Sequence, residues 1–115
     1  MPNPVVHFEI VGKDGKKLQD FYSRVFDWQI NANNPMQYGI VDNGGQGING
    51  GIAATDQPNG HATFYIEVSD TDQYLRKIES LGGKTVVPTT VIPDMVTFAM
   101  FTDPEGNLVG LVKAE

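Results

Sequence analysis

The sequence Val5-Val6-His7-Phe8-Glu9-Ile10-Val11 begins a pattern that recurs 56 residues later in the chain. Apolar and polar residues alternate through much of it, which is typical of a β-strand with two different faces. Asp14, a residue type that caps helices, follows His7 by seven positions; in the recurrence, Asp70 follows Thr63 by the same interval. This repeated spacing predicts one structural unit that occurs twice.

Each half continues with a predicted amphipathic helix. In the second half, Asp70 and Gln73 have the spacing of a capping box, and Gly82-Gly83 supplies residues that end a helix. The apolar stripes are Leu18, Phe21, Tyr22, Val25 and Phe26 in the first helix, and Tyr74, Leu75, Ile78 and Leu81 in the second. Both stripes are at helical spacing and are predicted to pack on a sheet.

Short strand candidates follow each helix and are separated by turn residues. They lie at 28–30, 38–41 and 51–54 in the first half, and at 85–87, 97–101 and 108–112 in the second, whose own first strand is 62–68. The chain is therefore predicted to be a single α+β domain, 1–115. It consists of two tandem βαβββ modules, about 1–57 and about 58–115, which form curved mixed sheets around a cleft with the helices outside.

Composition excludes several classes of function. The net charge of −6 and the pI of about 4.7 argue against a nucleic-acid partner, since phosphate binding needs a basic face. The absence of cysteine removes disulfides, thiol nucleophiles and thiolate metal sites. No apolar segment has the length of a membrane span, and no signal peptide is recognised, so we expect a cytoplasmic protein.

The segment Gly45-Gln46-Gly47-Ile48-Asn49-Gly50 matches the glycine pattern of dinucleotide-binding loops. That motif works because a helix follows it and directs its N-terminus at the pyrophosphate. Here Gly51-Ile52-Ala53-Ala54 follows, which is predicted to be a strand, so the dinucleotide interpretation is rejected.

Four local strings, in this order and spacing, resemble the vicinal oxygen chelate superfamily. They are His7-Phe8-Glu9-Ile10, Phe21-Tyr22-Ser23-Arg24-Val25-Phe26-Asp27-Trp28, Leu81-Gly82-Gly83-Lys84 and Asp103-Pro104-Glu105-Gly106-Asn107. This superfamily includes glyoxalases, bleomycin-resistance proteins and extradiol dioxygenases, and two βαβββ modules are its architecture. The chain is most similar to small glyoxalase-like proteins of unassigned function.

The resemblance also implies where a metal site would lie. Metal-using members take one ligand from the first strand and one Glu from the last strand of each module. The corresponding positions here are His7 and Thr63 for the first strands, and on or near Gly51 and Gly110 for the last strands. A catalytic divalent cation needs about three protein ligands, and only His7 offers one, so no metal or other cofactor is expected.

The candidate site is the polar face shared by the first strands of the two modules. Its predicted residues are His7, Glu9, Thr63, Tyr65 and Glu67, which alternate with apolar residues and should point away from the helices. The two glutamates favour cationic or hydrogen-bond-donating ligands. Alternatively, His7 has only a structural role, or it joins Glu9 and Glu67 on one cation.

Three functions follow from these features. We favour a metal-free small-molecule-binding protein, similar to the drug-sequestering branch of the superfamily. The first alternative is a lyase, isomerase or dioxygenase that uses a divalent metal held by His7, and the second is a structural or interaction domain without a ligand. The resemblance further implies a homodimer.

Overall fold

The computed structural model describes residues 2–115. The elements, in chain order, are β1 (Val5–Gly12), α1 (Gly15–Phe26), β2 (Gln29–Asn31), β3 (Gly39–Asp42), β4 (Asn49–Ala54), β5 (His61–Val68), α2 (Thr71–Ser80), β6 (Lys84–Ile92), β7 (Val96–Thr102) and β8 (Leu108–Lys113). This order repeats strand, helix and three strands, so the predicted α+β class and the two βαβββ modules are confirmed.

The chain divides into two compact units. One is His7–Thr63; the other combines the segment up to Val6 with Phe64–Glu115. In the first, the strands lie in the order β2-β3-β4-β1, and in the second in the order β5-β8-β7-β6. The pairs β1/β4 and β5/β8 are parallel, whereas β2/β3, β3/β4, β6/β7 and β7/β8 are antiparallel. Each unit therefore contains a mixed sheet.

The two helices begin as the sequence predicts. The carboxylate of Asp14 accepts a hydrogen bond from the backbone N–H of Lys17 at 3.0 Å, and that of Asp70 accepts one from Gln73 at 3.1 Å. Each bond satisfies one of the backbone donors that a helix N-terminus leaves without an intrahelical acceptor. Among residues 2–115, no helix is long and apolar enough to cross a membrane.

Each unit has its own apolar interior. In the unit 7–63, Val41 and Ile52 are fully buried. In the other, the buried cluster consists of Val68, Leu75, Ala99, Phe101, Val109 and Leu111, with Ile66, Tyr74 and Ile78 packed against it. Leu75 brings α2 into this cluster, which attaches the helix to one face of its sheet.

The apolar stripe of α1 is covered less than its periodicity suggests. Phe21, Val25 and Phe26 are each more than half exposed. Nε2 of Gln19, on the same helix, donates to the carbonyl oxygens of Ile52 at 2.8 Å and Gln37 at 3.2 Å. These bonds connect α1 to β4 and to the segment that precedes β3.

Strand β6 is longer than predicted because it continues through Pro88 to Ile92. A proline within a run of β-forming residues usually marks the end of a strand, since it cannot donate a ladder hydrogen bond. Here β6 is the last strand of its unit, and its register with β7 shifts between Val87 and Thr90. An edge strand with such an irregularity tolerates proline.

Candidate functional site

His7 and Glu9 lie two positions apart on β1, so their side chains leave the same face of the strand. Both are partly buried. In the parallel pairing with β4, His7 lies opposite Asn49 and Glu9 lies opposite Gly51. The predicted pair of ionisable residues is therefore present on one face, next to a position that has no side chain.

Tyr38 joins His7 and Glu9 into one hydrogen-bonded cluster. Its hydroxyl oxygen Oη lies 2.9 Å from Nε2 of His7 and donates to Oε2 of Glu9, also at 2.9 Å. The rings of Tyr38 and His7 are nearly parallel, with an interplanar angle of 16° and centroids 6.3 Å apart. We refer to these three residues as the Tyr38 cluster.

The backbone of Tyr38 is held by Asn34. The side-chain amide of Asn34 donates to the carbonyl oxygen of Tyr38 at 2.8 Å and accepts from its N–H at 2.9 Å. Tyr38 immediately precedes β3, whose pairing with β4 places Ile40 opposite Gly51. The two hydrogen bonds from Asn34 and the pairing of β3 with β4 place the ring of Tyr38 over Gly51.

The end of the Tyr38 side chain occupies the space that a side chain at Gly51 would need. A Cβ atom built on Gly51 would lie 1.9 Å from Oη of Tyr38 and 2.0 Å from its Cζ. Contacts under 3.0 Å are not found for real Cβ atoms. Any side chain at position 51 therefore competes with Tyr38 for the same volume.

Burial lowers the pKa of His7 below its ordinary value of 6.5, and the nearby Glu9 carboxylate opposes this shift without cancelling it. Taking charge out of water disfavours the protonated imidazole, whereas a neighbouring anion favours it. The net lowering keeps His7 neutral near pH 7. It then carries one ring proton and acts as donor at one nitrogen and acceptor at the other.

Thr63, Tyr65 and Glu67 follow one another along β5 in alternation. Thr63 and Tyr65 are both 8% exposed, and Glu67 is partly buried, with its backbone N–H donating to the carbonyl of Pro4 at 2.9 Å. Phe64, the apolar residue between Thr63 and Tyr65, is 40% exposed. In this part of β5 the burial of the two faces is thus the reverse of the pattern that hydrophobicity alone predicts.

Tyr65 is buried because it covers a glycine. It lies opposite Gly110 in the parallel pairing of β5 with β8, and a Cβ built on Gly110 would be 2.3 Å from the ring carbon Cδ2. The phenol Oη lies 3.9 Å from Sδ of Met100. The aromatic ring therefore occupies the volume that a side chain at position 110 would need.

These observations test whether the family's metal fits the residues present. The positions on or near Gly51 and Gly110, where the resemblance places glutamates, have no side chain, and tyrosines fill the space above both glycines. Within residues 2–115, no group of three or more His, Cys, Asp or Glu side chains could hold a metal ion. The donor set does not fit a metal centre of the family type.

Other features of the chain lie elsewhere. The second histidine, His61, is the first residue of β5. The Gly45–Gly50 segment leads into β4, which confirms that no helix follows it. Two shallow surface concavities border the helices, one along Lys17, Phe21 and Arg24 of α1 and the other along Tyr74 and Leu81 of α2. Neither is lined by a residue of the Tyr38 cluster.

Sequence reasoning did not assign Tyr38 to the site. Its role depends on the pairing of β3 with β4, which brings together residues 13 positions apart. The available signal was Gly51 itself, because a buried glycine within a strand often marks a place where another group approaches closely.

The fold is shared with several solved structures. The chain superimposes on methylmalonyl-CoA epimerase from Mycobacterium tuberculosis with a TM-score of 0.70 at 17% identity, covering 96% of this chain and 87% of that one. A hypothetical protein from Bacillus halodurans C-125 gives a TM-score of 0.69 at 14% identity, with 100% and 96% covered. A glyoxalase/bleomycin resistance protein/dioxygenase superfamily member from Vibrio splendidus 12B01 gives 0.67 at 16%, with 98% and 100% covered. At these identities the likeness establishes the fold alone.

A search of curated proteins gives no match. The sequence model of the Glyoxalase/Bleomycin resistance protein/Dioxygenase superfamily, however, matches residues 5–111, which include the first βαβββ module, the second as far as Leu111 in β8, and the Tyr38 cluster. The chain therefore belongs to the glyoxalase/bleomycin resistance protein/dioxygenase superfamily.

Proposed function

We propose that this protein binds a small molecule at the Tyr38 cluster without the help of a metal ion. The observation that carries the proposal is the position of the Tyr38 hydroxyl, which bridges His7 and Glu9 and fills the side-chain space at Gly51. A buried polar group that lacks a hydrogen-bond partner destabilises the folded protein by about 1–3 kcal/mol. A network that satisfies such groups and still borders solvent is suited to exchanging water for a ligand.

The chemistry of the cluster favours ligands that donate hydrogen bonds. An ionised carboxylate only accepts hydrogen bonds, as Glu9 does from the hydroxyl of Tyr38, so this residue favours a ligand that donates them. The net charge of −6 attracts cations and repels anions. A neutral or cationic ligand with N–H groups, such as an amine or amidine, is the class we propose.

Two probe molecules of similar shape and opposite charge test this class. Benzamidinium and benzoate are each titrated into ¹⁵N-labelled protein, and chemical-shift changes are mapped by NMR. Benzamidinium should shift the resonances of His7, Glu9 and Tyr38, whereas benzoate should leave them in place. The Glu9→Gln variant, which keeps the size of the side chain and removes its charge, should weaken benzamidinium binding about tenfold, the effect of losing roughly 1.4 kcal/mol from a charge-assisted hydrogen bond.

Equal shifts with both probes, or shifts only at residues far from the cluster, would contradict the proposed ligand class. If neither probe shifts any resonance of the cluster at millimolar concentration, the alternative of a structural or interaction domain gains support. A control variant, Glu105→Gln, removes one charge from the exposed turn before β8 and should leave benzamidinium binding unchanged.

The main alternative is an enzyme of the same superfamily with a divalent cation at His7. The resemblance places a metal ligand at His7, and several similar structures are methylmalonyl-CoA epimerases. Elemental analysis of protein purified without chelator distinguishes a metal-dependent enzyme from a metal-free binding protein. About one Zn, Ni, Mn or Fe per chain that is lost on His7→Ala would overturn metal-free binding and favour the enzyme alternative.

A further inference from the structure

The resemblance places a metal-ligating glutamate on or near Gly51, and in this chain the side chain of Tyr38 occupies the space at that glycine. The nearest atoms to a Cβ at position 51 all belong to Tyr38: Oη at 1.9 Å, Cζ at 2.0 Å and Cε2 at 2.1 Å. A tyrosine hydroxyl at the end of a side chain can normally move aside. Here it is joined to both His7 and Glu9, so displacing it breaks two hydrogen bonds.

The number of protons in the cluster fixes their positions. A tyrosine hydroxyl has one proton, and an ionised carboxylate has none to donate. When Tyr38 donates to Oε2 of Glu9, its oxygen can only accept from His7, so Nε2 of His7 must carry a proton. One hydroxyl therefore determines the tautomer of the imidazole and fixes the carboxylate beside it.

The backbone of Tyr38 is held in place as well as its hydroxyl group. The Asn34 amide holds both backbone groups of Tyr38, which limits how far the ring can swing. The rings of Tyr38 and His7 lie nearly parallel beside one another. The Asn34 amide thus holds Tyr38, and the hydroxyl of Tyr38 holds His7 and Glu9.

We propose that Tyr38 is a positioning residue that fills the space at Gly51, on or near the position where the resemblance places a carboxylate ligand, and that it holds His7 and Glu9 in place by hydrogen bonds. Tyr38 and Gly51 then form a coupled pair, since the hydroxyl can reach His7 and Glu9 only while position 51 lacks a side chain. The inference concerns the same site as the proposed function. Its test needs no ligand, so either can fail while the other stands.

The ring nitrogens of His7 provide the decisive measurement. Long-range ¹H–¹⁵N spectra of the wild-type protein should show the His7 proton on Nε2, with slow exchange against water because the proton is held by Tyr38. The Tyr38→Phe variant keeps the ring over Gly51 and removes only the hydroxyl. Exchange of the His7 ring proton should then become roughly tenfold faster, in line with the loss of one hydrogen bond.

A second variant reaches the same result by a different route. Gly51→Ala leaves Tyr38 intact but takes the volume of its hydroxyl, so it should also accelerate exchange at His7. The matched control is Gly47→Ala, because a Cβ at position 47 meets nothing within 4 Å. Tyr74→Phe, which removes a hydroxyl that accepts a hydrogen bond from Asn3, should likewise leave His7 unchanged, because Asn3 and Tyr74 both belong to the unit that lacks His7.

Two outcomes would overturn the proposal. One is a wild-type His7 proton located on Nδ1, a result that requires no variant and so does not depend on whether the variants fold. The other is an unchanged exchange rate of the His7 ring proton in folded Tyr38→Phe and Gly51→Ala. A tyrosine with only a structural role would change the free energy of unfolding but not this exchange rate.

Discussion

The ring of Tyr65 lies directly against Gly110, its partner across β5 and β8. A Cβ at position 110 would meet three ring carbons of Tyr65 within 2.8 Å. Tyr65 is 8% exposed, and its phenol end lies near Met100, which is also buried. The ring therefore has little room to move, and the glycine is a requirement of the packing.

The first prediction is that Gly110→Ala destabilises the protein by about 1–3 kcal/mol, the usual cost of overpacking a filled interior. Urea unfolding followed by circular dichroism measures the change. Gly47→Ala is the matched control, since a Cβ there meets no atom within 4 Å, and it should change stability little. A Gly110→Ala variant as stable as Gly47→Ala would show that the ring of Tyr65 is free to shift.

Much of the fold was predictable because its signals are local. The capping positions Asp14 and Asp70, the helical stripes and the strand alternation each lie within a few residues along the chain, and their repetition revealed two modules. The course of β6 beyond Pro88 was missed because it depends on which strand lies at the edge of the sheet, and edge position is a property of the assembled fold.

The site was predictable only in part, for a related reason. Alternation along β1 correctly placed His7 and Glu9 on one face, but Tyr38 comes to them through the pairing of β3, β4 and β1. On β5, hydrophobicity predicted that Phe64 would be buried, whereas Tyr65 is buried. The ring of Tyr65 occupies the space above Gly110, which lacks a side chain. Such a pairing of tyrosine with glycine produces no periodic pattern in the sequence of either strand.

The second prediction concerns the cap of α2. Asp70→Ala should lower the free energy of unfolding by about 1 kcal/mol, because the backbone N–H of Gln73 loses its acceptor. Asp70→Asn, which retains a capping oxygen, should keep most of that stability. Chemical denaturation of both variants measures the difference, and equal losses would mean that the charge of Asp70 matters and its hydrogen bond does not.

The third prediction is that the protein forms a homodimer at micromolar concentration. Large apolar side chains remain exposed in each unit: Phe21, Val25 and Phe26 on α1, and Leu81, Val86 and Val91 in the other. Contiguous exposed apolar surface often marks an interface. Light scattering should give about twice the 12.6 kDa mass of one chain. The mass of a single chain throughout the micromolar range would rule the dimer out.

The last prediction follows from the lowered pKa of His7. In the unfolded chain His7 takes up its proton near the ordinary pKa of 6.5, whereas burial in the folded state delays that uptake to lower pH. Between the two pKa values the unfolded state binds more protons, so the free energy of unfolding decreases as pH falls, by at most about 1.4 kcal/mol per pH unit. Above the unfolded pKa His7 is neutral in both states and adds no pH dependence.

His7→Gln should therefore flatten the fall in stability that the wild-type protein shows from about pH 7 downward. Urea unfolding at a series of pH values measures the slope for each protein, and the difference between them isolates His7 from the carboxylates that both retain. His61→Gln is the control, because it removes the other histidine of the chain and leaves the Tyr38 cluster intact. Stability that rises for the wild type relative to His7→Gln as the pH is lowered would mean that the Glu9 carboxylate outweighs burial and raises the pKa of His7 in the folded protein.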